Sequence, residues 1–312
     1  MPLDLPTPLR PAPETLAPGR RLLLKHEEGN ELGSFKWRGA LPTVRRWREE
    51  GAATVVTAST GNHGAAVAWA ARRLGMSAVV YAPGGASHEK IALIEDLGAH
   101  IRLFGADLDQ AKEEARVYAA GEKLPFFEDG AEPAQYEGYG KIGEEILDRC
   151  EEPPAAIVVP VGNGALVCGI GSAVKRRCPK TLVIGVAARQ APVMEMSWRA
   201  GAPVLCDRMA TFADGLAVRV AIARAVTLTR EVVDRMLLVS ERSLAQAVSD
   251  FAHADLRVEG AAAAALAALP QLPEVDGPIV LLVTGCNIDQ DLWVRAVERP
   301  ESFQVENGSV QP

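Results

Sequence analysis

One lysine of the chain stands where its amine could act as a nucleophile. Lys36 closes the segment Gly33-Ser-Phe-Lys36 and precedes Trp37, at the point where a loop is expected to enter a helix. A cation is unfavourable at a helix N-terminus, because the helix dipole is positive there. An amine in that position, flanked by apolar Phe35 and Trp37, can form an imine with a carbonyl compound. Taken alone, the segment is explained better by a solvated lysine at the end of a loop.

A second polar segment follows an apolar strand predicted at residues 53–58. It reads Ser59-Thr60-Gly61-Asn62-His63-Gly64 and precedes an apolar helix. Open α/β sheets bind ligands at the carboxyl ends of their strands, and the free amides of a helix start suit a carboxylate. We expect Ser59 or Thr60 to cap the helix, which leaves the other polar side chains for a ligand. His63 is not expected to bind a metal, since the other four histidines are isolated.

A third segment combines glycines with the start of a helix. It runs Gly162-Asn163-Gly164-Ala165-Leu166 after an apolar strand. Glycines let the backbone approach an anion closely and the helix start supplies unpaired amides, so a phosphate is the expected ligand. The spacing of Gly162, Gly164 and Gly169 departs from Gly-x-Gly-x-x-Gly, which makes a dinucleotide loop a weak alternative.

A fourth segment, Thr284-Gly-Cys-Asn287, ends another apolar strand in small polar residues. Thr284 could meet a hydrogen-bonding atom of a ligand at the carboxyl end of the sheet. A simple strand-to-turn transition is the better explanation when the segment is taken alone.

These segments need a scaffold of alternating strands and helices. Short apolar runs alternate with helix-length segments, at residues 21–25, 53–58, 78–82, 100–104, 157–161, 182–186, 236–239 and 279–284. Continuous apolar strands separated by helices predict parallel sheets that are covered on both faces. We therefore expect an α/β fold with two doubly wound lobes. The smaller lobe is predicted at residues 39–129, and the larger lobe at residues 1–38 and 130–312.

Composition limits the classes of partner and the location. The 312 residues carry a net charge of −7, which argues against nucleic acid or an anionic membrane as the main partner. Five scattered cysteines without a Cys-x-x-Cys pair suggest a reduced, cytoplasmic protein without a structural zinc site. The proline-rich N-terminus lacks the apolar core of a signal peptide, and no apolar run reaches membrane-spanning length. We expect a soluble protein.

Together and in this order, the four segments resemble the tryptophan-synthase-β family of pyridoxal-phosphate enzymes, also called fold-type II. Gly-Ser-Phe-Lys36-x-Arg-Gly-Ala and Ser-Thr-Gly-Asn62-His-Gly are highly specific when they occur together. Supporting segments are Lys90-Ile with Leu-Gly98-Ala, Phe212-Ala-Asp-Gly-Leu and Val258-Glu-Gly-Ala-Ala. The match spans about residues 8–289. It is most similar to serine/threonine dehydratases and serine racemases, with some features of threonine synthases.

The resemblance implies how a cofactor would be held. Lys36 would bind pyridoxal 5'-phosphate as a Schiff base in the cleft between the lobes and would carry the α-proton of the substrate. Phe35 would pack near the cofactor ring, and Asn62 would hydrogen-bond the ring hydroxyl oxygen. Thr284 would face the pyridine nitrogen. The phosphate would bind to the backbone of Gly162, Asn163, Gly164, Ala165 and Leu166.

The resemblance also implies the substrate side of the site. Tyr139 and Lys141 lie in a segment that is assigned to selection of the substrate side chain. Thr60 is the hydroxyl that could serve catalysis on the face opposite Lys36. No metal ligands are expected. The substrate carboxylate would be cradled by Ser59, Thr60, Gly61, Asn62 and His63.

The type of reaction is predicted from Thr284. A hydroxyl in place of a carboxylate would leave the pyridine nitrogen unprotonated, which favours prompt loss of a β-substituent. The leading hypothesis is a pyridoxal-phosphate-dependent ammonia-lyase that converts a β-hydroxy amino acid, such as threonine or serine, into a 2-oxo acid and ammonia. We expect a homodimer, with a small amino-acid substrate.

Other functions stay open at this point. Within the same fold, the alternatives are an amino-acid racemase, which would use Thr60 as a second acid, and a threonine-synthase-like or β-replacement lyase. Outside that class, the alternatives are a non-catalytic pyridoxal-phosphate-binding protein and a nucleotide-binding module.

Overall fold

Two β-sheets with helices packed on their faces make up the fold. The computed structural model describes residues 5–207 and 209–303. The strands in that part of the chain are β1 (Leu9–Pro11), β2 (Leu22–His26), β3 (Thr54–Ala58), β4 (Ser77–Ala82), β5 (Ala99–Leu103), β6 (Phe126–Phe127), β7 (Ala156–Pro160), β8 (Leu182–Ala188), β9 (Arg235–Val239) and β10 (Ile279–Val283).

The strand order separates the two sheets along the chain. The larger sheet has the order β1-β2-β10-β7-β8-β9, and the smaller sheet has the order β5-β4-β3-β6. All neighbouring strands are parallel except β1 and β2, in which Leu9 lies opposite Lys25. The last strand of the described chain, β10, therefore lies inside the larger sheet, between β2 and β7.

Helices connect the strands and cover the sheets. Asp107 and Ser240 cap two of these helices, since their side chains accept from the backbone amides of Gln110 and Ser243. The helices of the described residues are α1 (Trp37–Glu49), α2 (Asn62–Arg73), α3 (His88–Asp96), α4 (Leu108–Gly121), α5 (Pro133–Arg149), α6 (Ala165–Arg177), α7 (Val193–Ala200), α8 (Ala223–Val232), α9 (Glu241–His253), α10 (Gly260–Ala267) and α11 (Gln290–Glu298).

Successive residues of the central strands pack into different apolar clusters. On β10, Val280 belongs to the cluster on one face of the larger sheet, and Leu281 to the cluster on the other face. Val55 and Val56 on β3 divide in the same way between the two clusters of the smaller sheet. Because both faces are buried, these strands read as continuous apolar runs.

The predicted fold class, an α/β fold with parallel sheets, is confirmed. Each of the eight predicted strands is present. Sequence reasoning missed β1 and β6. β6 has only two residues, and β1 is a three-residue antiparallel edge strand that contains Pro11, so neither forms a recognisable apolar run.

The smaller sheet agrees in extent with the smaller predicted lobe. Its four strands lie between Thr54 and Phe127, inside the segment 39–129. The exact lobe boundaries stay a prediction. Among the described residues, no helix is both long enough and apolar enough to cross a membrane.

Candidate active site

The four segments singled out in the sequence meet at one cavity. It has a volume of about 470 Å³ and lies at the carboxyl ends of β3, β7 and β10. Parallel strands of one sheet end at the same edge, which brings the segments after β7 and β10 together. The end of β3, in the smaller sheet, lines the same cavity. The predicted site residues that line the cavity are Phe35, Lys36, Ser59, Thr60, Gly61, Asn62, His63, Gly162, Asn163, Gly164, Leu166 and Thr284.

The loop that carries Lys36 is tied to the end of β10. Lys36 occupies the N-cap of α1, as predicted. The backbone amide of Phe35 donates to the carbonyl of Thr284 at 3.0 Å, and Ser34 forms an isolated bridge with Gly285. The first and fourth segments are therefore joined through their backbones, with the Lys36 side chain directed into the cavity.

The Lys36 amine is paired with a carboxylate. Its Nζ lies 2.6 Å from Oδ2 of Asp129, and Nε2 of Gln135 donates to Oδ1 of Asp129 at 2.6 Å. Burial opposes ionisation of Asp129, but the neighbouring charge of Lys36 outweighs burial and holds the pKa of this carboxyl well below its ordinary range. Asp129 is therefore an anion at neutral pH, and it balances the charge of the amine.

The side-chain amide of Asn62 is held on two sides. Its Nδ2 donates to Oε2 of Glu259 at 2.9 Å, and its Oδ1 accepts from Nδ2 of Asn287 at 2.7 Å. Burial raises the pKa of Glu259 to about 8, with a further contribution from the charge of Asp214. Glu259 is therefore largely protonated and neutral at pH 7.

The start of α2 is open toward the cavity. Gly61 is the N-cap residue, and no side chain caps the helix. The expectation that Ser59 or Thr60 caps α2 is therefore wrong. Oγ of Ser59 instead accepts from the backbone amide of Gly61 at 3.2 Å, which turns the segment before the helix begins.

His63 forms part of the buried wall of the cavity. Its Nε2 lies 3.1 Å from Oγ1 of Thr57, and its Nδ1 lies 3.6 Å from Oδ1 of Asp129. The ring packs edge-on against Phe127, with 4.7 Å between ring centroids. Burial lowers the pKa of His63, so the imidazole is neutral at pH 7.

The glycine segment before α6 forms a cradle of backbone. A Cβ at Gly162 would lie 2.4 Å from the carbonyl oxygen of Gly215. Gly164 has φ +90°, and a Cβ there would lie 2.8 Å from Cε of Met194. No side chain caps α6 at Gly164, although Oδ1 of Asn163 accepts from the amide of Ala165 at 3.0 Å. The helix start therefore presents backbone amides to an anion.

Thr284 contributes a buried hydroxyl that has no partner within the described residues. The residue is 2% exposed, and its Oγ1 makes no hydrogen bond there. A buried hydroxyl without a partner destabilises a protein by roughly 1–3 kcal/mol. Because Thr284 lines the cavity, a ligand atom is the natural partner for this group.

Comparison with known families identifies the chain. A family model described as "Pyridoxal-phosphate dependent enzyme" matches residues 1–285. The chain belongs to this family. The resemblance inferred from the four segments is thereby confirmed, and so is the dependence on pyridoxal phosphate.

Proteins similar to this pyridoxal-phosphate enzyme include two named for lyase activity. "Threonine dehydratase biosynthetic, chloroplastic" from Arabidopsis thaliana is 34% identical over 279 residues, which are 88% of this chain and 47% of that protein. An L-threonine ammonia-lyase from Geobacter sulfurreducens is 35% identical over 286 residues, 90% of this chain and 71% of that protein. The chain therefore spans about half the length of the Arabidopsis protein.

Solved structures of the same fold cover nearly the whole chain. The processed form of threonine deaminase isoform 2 from Solanum lycopersicum has a TM-score of 0.88 and 29% identity, and covers 95% of this chain and 88% of its own. Maize serine racemase has a TM-score of 0.87 and 25% identity, with coverage of 96% and 93%. An L-serine ammonia-lyase from Rhizomucor miehei has a TM-score of 0.85 and 26% identity, with coverage of 95% and 98%.

The cavity of this pyridoxal-phosphate enzyme fits its cofactor. The Lys36 amine supplies a group for covalent attachment, and the open start of α6 supplies amides for a phosphate. The unpartnered hydroxyl of Thr284 supplies a polar contact for a ring nitrogen. One cavity therefore offers an amine for covalent attachment, backbone amides for the phosphate and a hydroxyl for the ring nitrogen. Pyridoxal phosphate needs a group of each of these three kinds.

Tyr139 and Lys141 do not line the cavity. The Tyr139 side chain is fully buried on α5, its hydroxyl accepts from Nε2 of Gln135 at 3.0 Å, and its ring centroid lies 5.0 Å from that of Phe35. Lys141 is exposed on the same helix. Tyr139 is therefore linked to the site through Phe35 and Gln135. Direct contact of Tyr139 with a substrate stays a prediction, which this placement does not favour. Ala165 is also buried outside the cavity wall.

Sequence reasoning assigned no role to Asp129, Glu259 or Asn287. Glu259 and Asn287 lie in segments that carried the family resemblance, but neither segment indicates that its side chain turns toward Asn62. Asp129 follows β6, a strand too short to give a pattern. A search for polar residues just after each strand would have found Asp129 if β6 had been recognised.

A buried network of charges lies behind α1. Nε of Arg38 donates to Oε2 of Glu27 at 2.7 Å, and Nη1 donates to Oε1 of Glu145 at 2.7 Å. Nζ of Lys25 donates to Oε2 of Glu145 at 2.5 Å. Arg38 lies two residues after Lys36, so these buried pairs fasten the first turn of α1 to β2 and α5.

The described residues offer no cluster of side chains for a metal ion. Within residues 5–207 and 209–303, no cluster of three or more His, Cys, Asp or Glu side chains could hold a metal ion. Four cysteines, Cys150, Cys168, Cys178 and Cys286, are free thiols.

Proposed function

We propose that the protein is an ammonia-lyase that acts on a β-hydroxy amino acid such as threonine or serine. The reaction removes the β-hydroxyl group and the α-hydrogen as water, and hydrolysis of the resulting enamine releases ammonia and a 2-oxo acid. Relatives named threonine dehydratase and L-threonine ammonia-lyase support this proposal, as does the similar L-serine ammonia-lyase structure. The observation that carries it is the uncharged hydroxyl of Thr284, which has no partner among the described residues.

The charge of the group at Thr284 bears on the choice of reaction. A carboxylate beside the pyridine nitrogen would favour the protonated ring, which is a strong electron sink. A hydroxyl provides no such charge, so negative charge at the substrate Cα is less well stabilised. Prompt departure of a β-substituent then competes well with exchange at Cα.

Lys36 would be the proton carrier. Bound pyridoxal phosphate withdraws electrons from the Cα of an amino acid that is joined to it. Nζ of Lys36 would hold the cofactor and then accept the α-proton. Asp129, 2.6 Å from Nζ, would stabilise the amine once that proton has been taken.

The start of α2 would bind the substrate carboxylate. This helix has no side-chain cap, so its first amides are available to an anion. The imidazole of His63 is neutral, so the backbone amides supply the attraction for the carboxylate at this helix start. The cradle before α6 would bind the cofactor phosphate in a similar way, through the backbone of residues 162–166.

Two ion pairs join opposite sides of the cavity. Lys90 on α3 lies 3.0 Å from Asp214, and Arg219 lies 2.9 Å from Asp109 on α4. All four residues line the cavity. These pairs connect helices that pack on the smaller sheet to loops of the larger sheet, and they would limit the entry of water during the reaction.

An amino-acid racemase is the second candidate. The observation that favours it is the placement of the Thr60 hydroxyl on the wall of the same cavity as Lys36. The similarity to maize serine racemase, at 25% identity and a TM-score of 0.87, also supports it. In this alternative, Thr60 would return a proton to Cα from the face opposite Lys36.

We also propose that the enzyme acts as a homodimer in the cytoplasm, with lobes at the predicted boundaries. Free thiols are compatible with a reducing compartment. The dimer is inferred from the family resemblance. Sedimentation analysis of the loaded protein would test it, and a monomer at micromolar concentration would contradict it.

The proposed reaction is tested by a substrate screen. The loaded protein is incubated with β-hydroxy amino acids of both configurations, and formation of 2-oxo acid and ammonia is measured together with the configuration of the remaining amino acid. We expect 2-oxo acid from threonine or serine at a rate well above inversion. Inversion without 2-oxo acid would favour the racemase. The matched control is Lys36→Ala, which should give neither product.

A further inference from the structure

Asn287 makes contacts that the proposed reaction does not use. It lies three residues beyond Thr284, after the end of β10. Its Nδ2 donates to the carbonyl oxygen of Leu32 at 2.8 Å and to Oδ1 of Asn62 at 2.7 Å. Both hydrogens of the Asn287 amide are therefore used.

The carbonyl of Leu32 decides which way the Asn287 amide points. A backbone carbonyl oxygen only accepts hydrogen bonds, so Asn287 must turn its NH₂ group toward Leu32. The same NH₂ group faces Asn62, which must meet it with its own oxygen. The NH₂ group of Asn62 is thereby turned away from Asn287, toward Glu259 and the cavity.

The loop before Lys36 holds this carbonyl in place. The amide of Leu32 donates to Oδ1 of Asn30 at 2.9 Å, and Nδ2 of Asn30 donates to the carbonyl of Ser34 at 3.0 Å. Gly33 has φ +60°, and a Cβ there would lie 2.5 Å from Oδ1 of Asn287. Glycine therefore supplies both the left-handed backbone of this loop and the space that Asn287 occupies.

We propose that Asn287 is a positioning residue that makes Asn62 present a hydrogen-bond donor, rather than an acceptor, to the ring oxygen of pyridoxal phosphate. This inference rests on the proposed contact between Asn62 and that oxygen. One hydrogen of the Asn62 amide goes to Glu259, and the second is available to the cofactor. Through Leu32, the loop that carries Lys36 sets the orientation of the side chain that contacts the ring.

The cofactor itself reports which group faces its ring oxygen. A donor stabilises the ionised oxygen, whereas an acceptor stabilises the protonated oxygen. In protein-bound pyridoxal phosphate, the ionised form absorbs in the visible and the protonated form in the near ultraviolet. The ratio of the two bands therefore measures the orientation of the Asn62 amide, independently of turnover.

The test compares two amide-to-acid substitutions in the full chain loaded with pyridoxal phosphate. Asn287→Asp keeps the shape of the side chain but removes both donated hydrogens, so Asn62 should turn its NH₂ group toward the new carboxylate. We expect at least half of the visible band to move into the near ultraviolet, and the cofactor to bind about tenfold more weakly.

The matched control is Gln290→Glu. Gln290 is exposed, lies outside the cavity and accepts from Nη1 of Arg257 at 3.0 Å. This substitution introduces the same charge three residues further along the chain, and the band ratio should not change. A shift of the same size in Gln290→Glu would mean that the added charge, rather than the orientation of Asn62, moves the bands.

Two further variants separate the possible outcomes. Asn62→Ala tests the contact on which the inference rests, and an unchanged band ratio there would contradict the proposed role of Asn62. If Asn62→Ala shifts the bands but saturated Asn287→Asp does not, Asn287 does not position Asn62. Asn287→Ala removes both donors without adding an acceptor, so it decides the question if Asn287→Asp does not fold. It should shift the bands in the same direction by a smaller amount, and no shift would overturn the proposal.

Discussion

The two ends of the cavity offer different kinds of group to a ligand. Before α6, the groups are backbone amides, and their arrangement depends on glycines: a Cβ at Gly162 would lie 2.4 Å from the carbonyl oxygen of Gly215. At the opposite end, the groups are side chains that fix one another, such as Lys36 with Asp129 and Asn62 with Glu259.

Because of this difference, the affinity for the cofactor and the reactivity of its ring depend on different ends of the cavity. An anion held by backbone amides is bound whatever the neighbouring side chains are, provided that none of them fills its space. A ring held by side chains is sensitive to the identity and the protonation of each group. Changes at the cradle should therefore alter how tightly the cofactor binds, whereas changes at the ring should alter its spectrum and its reaction.

The largest effect is expected from Lys36→Ala, which removes the attachment point and the proton carrier at the ring end. Turnover should fall by at least about 10³-fold, while the protein still folds. Rates of 2-oxo acid formation test the loss. Peptide mapping after borohydride reduction of the wild type tests the site. A pyridoxyl group on Lys90 or Lys112, which also line the cavity, would contradict the assignment.

Gly162→Ala should weaken binding of the cofactor without changing the reaction that the bound cofactor carries out. The added methyl group meets backbone, which cannot move aside as a side chain can. We expect a dissociation constant about 10–100-fold higher, with the band ratio of the bound cofactor unchanged. Gly85→Ala is the control, because a Cβ at Gly85 meets nothing within 4 Å. A changed band ratio in saturated Gly162→Ala would break the distinction between the two ends.

Glu259 gives the ring end a pH dependence that the cradle lacks. Burial and Asp214 raise the pKa of Glu259 from an ordinary value of 4.5 to about 8, against the opposing charges of Lys36 and Lys90. The folded protein therefore holds a proton that the unfolded chain releases, and the stabilisation from this group is lost as pH rises from about 5 to 8. Cys286 is a further titratable group beside it.

Glu259→Gln removes this dependence. In the absence of cofactor, the free energy of unfolding of the wild type should fall relative to that of the variant by about 1.4 kcal/mol per pH unit in this window. Urea unfolding at several pH values measures the difference. Parallel pH profiles for the two proteins would show that Glu259 is ionised in the folded state throughout.

Thr284→Val should have effects of opposite sign with and without cofactor. The variant removes a hydroxyl that has no partner in the described part of the chain, so without cofactor the protein should be unchanged or up to about 1 kcal/mol more stable. The stabilisation that saturating pyridoxal phosphate adds should fall by about 1 kcal/mol. Thermal unfolding with and without cofactor measures both quantities.

Thr181→Val is the matched control for Thr284→Val. Thr181 is also 2% exposed, but its Oγ1 donates to the carbonyl of Pro154 at 2.7 Å, away from the cavity. Loss of this hydrogen bond should destabilise the protein by about 1–3 kcal/mol both with and without cofactor. The stabilisation that pyridoxal phosphate adds should therefore stay the same. The same pattern in Thr284→Val would mean that the Thr284 hydroxyl has a partner in the protein.

The smallest effect is expected from Asn163→Gly at the cradle. The Asn163 side chain occupies the amide of Ala165, which lies at the start of α6. Its removal frees one donor and adds no bulk, so the dissociation constant of the cofactor should stay within about threefold of the wild-type value, a difference below about 0.7 kcal/mol. Fluorescence titration with pyridoxal phosphate measures this, and a tenfold loss would show that the side chain itself contacts the ligand.

The sequence predicted the scaffold, and the glycine loop that opens α6, well, for a physical reason. Strands buried on both faces leave an unbroken apolar run, as β7 and β10 do, and glycines that open a helix leave a local signature. The segments at Lys36, Asn62 and Thr284 could be recognised in the same way, because each closes a strand or opens a helix.

The side-chain half was harder to predict, because its partners are distant in sequence. Asn62 and Glu259 are separated by 197 residues, and Lys36 and Asp129 by 93. No local pattern reports such contacts. Tyr139 illustrates the converse, since a residue expected to select the substrate side chain is turned into the core by the helical period of α5.

The position of β10 has a consequence for the order in which the enzyme is made. This strand is synthesised after nearly all of the described chain, yet it lies between β2 and β7 and is followed directly by Thr284. Before it leaves the ribosome, β2 lacks its parallel neighbour and the Lys36 loop lacks the Thr284 carbonyl that holds it. A nascent chain that ends before Ile279 therefore has no complete cofactor site. We therefore expect pyridoxal phosphate to bind only after β10 has been inserted between β2 and β7.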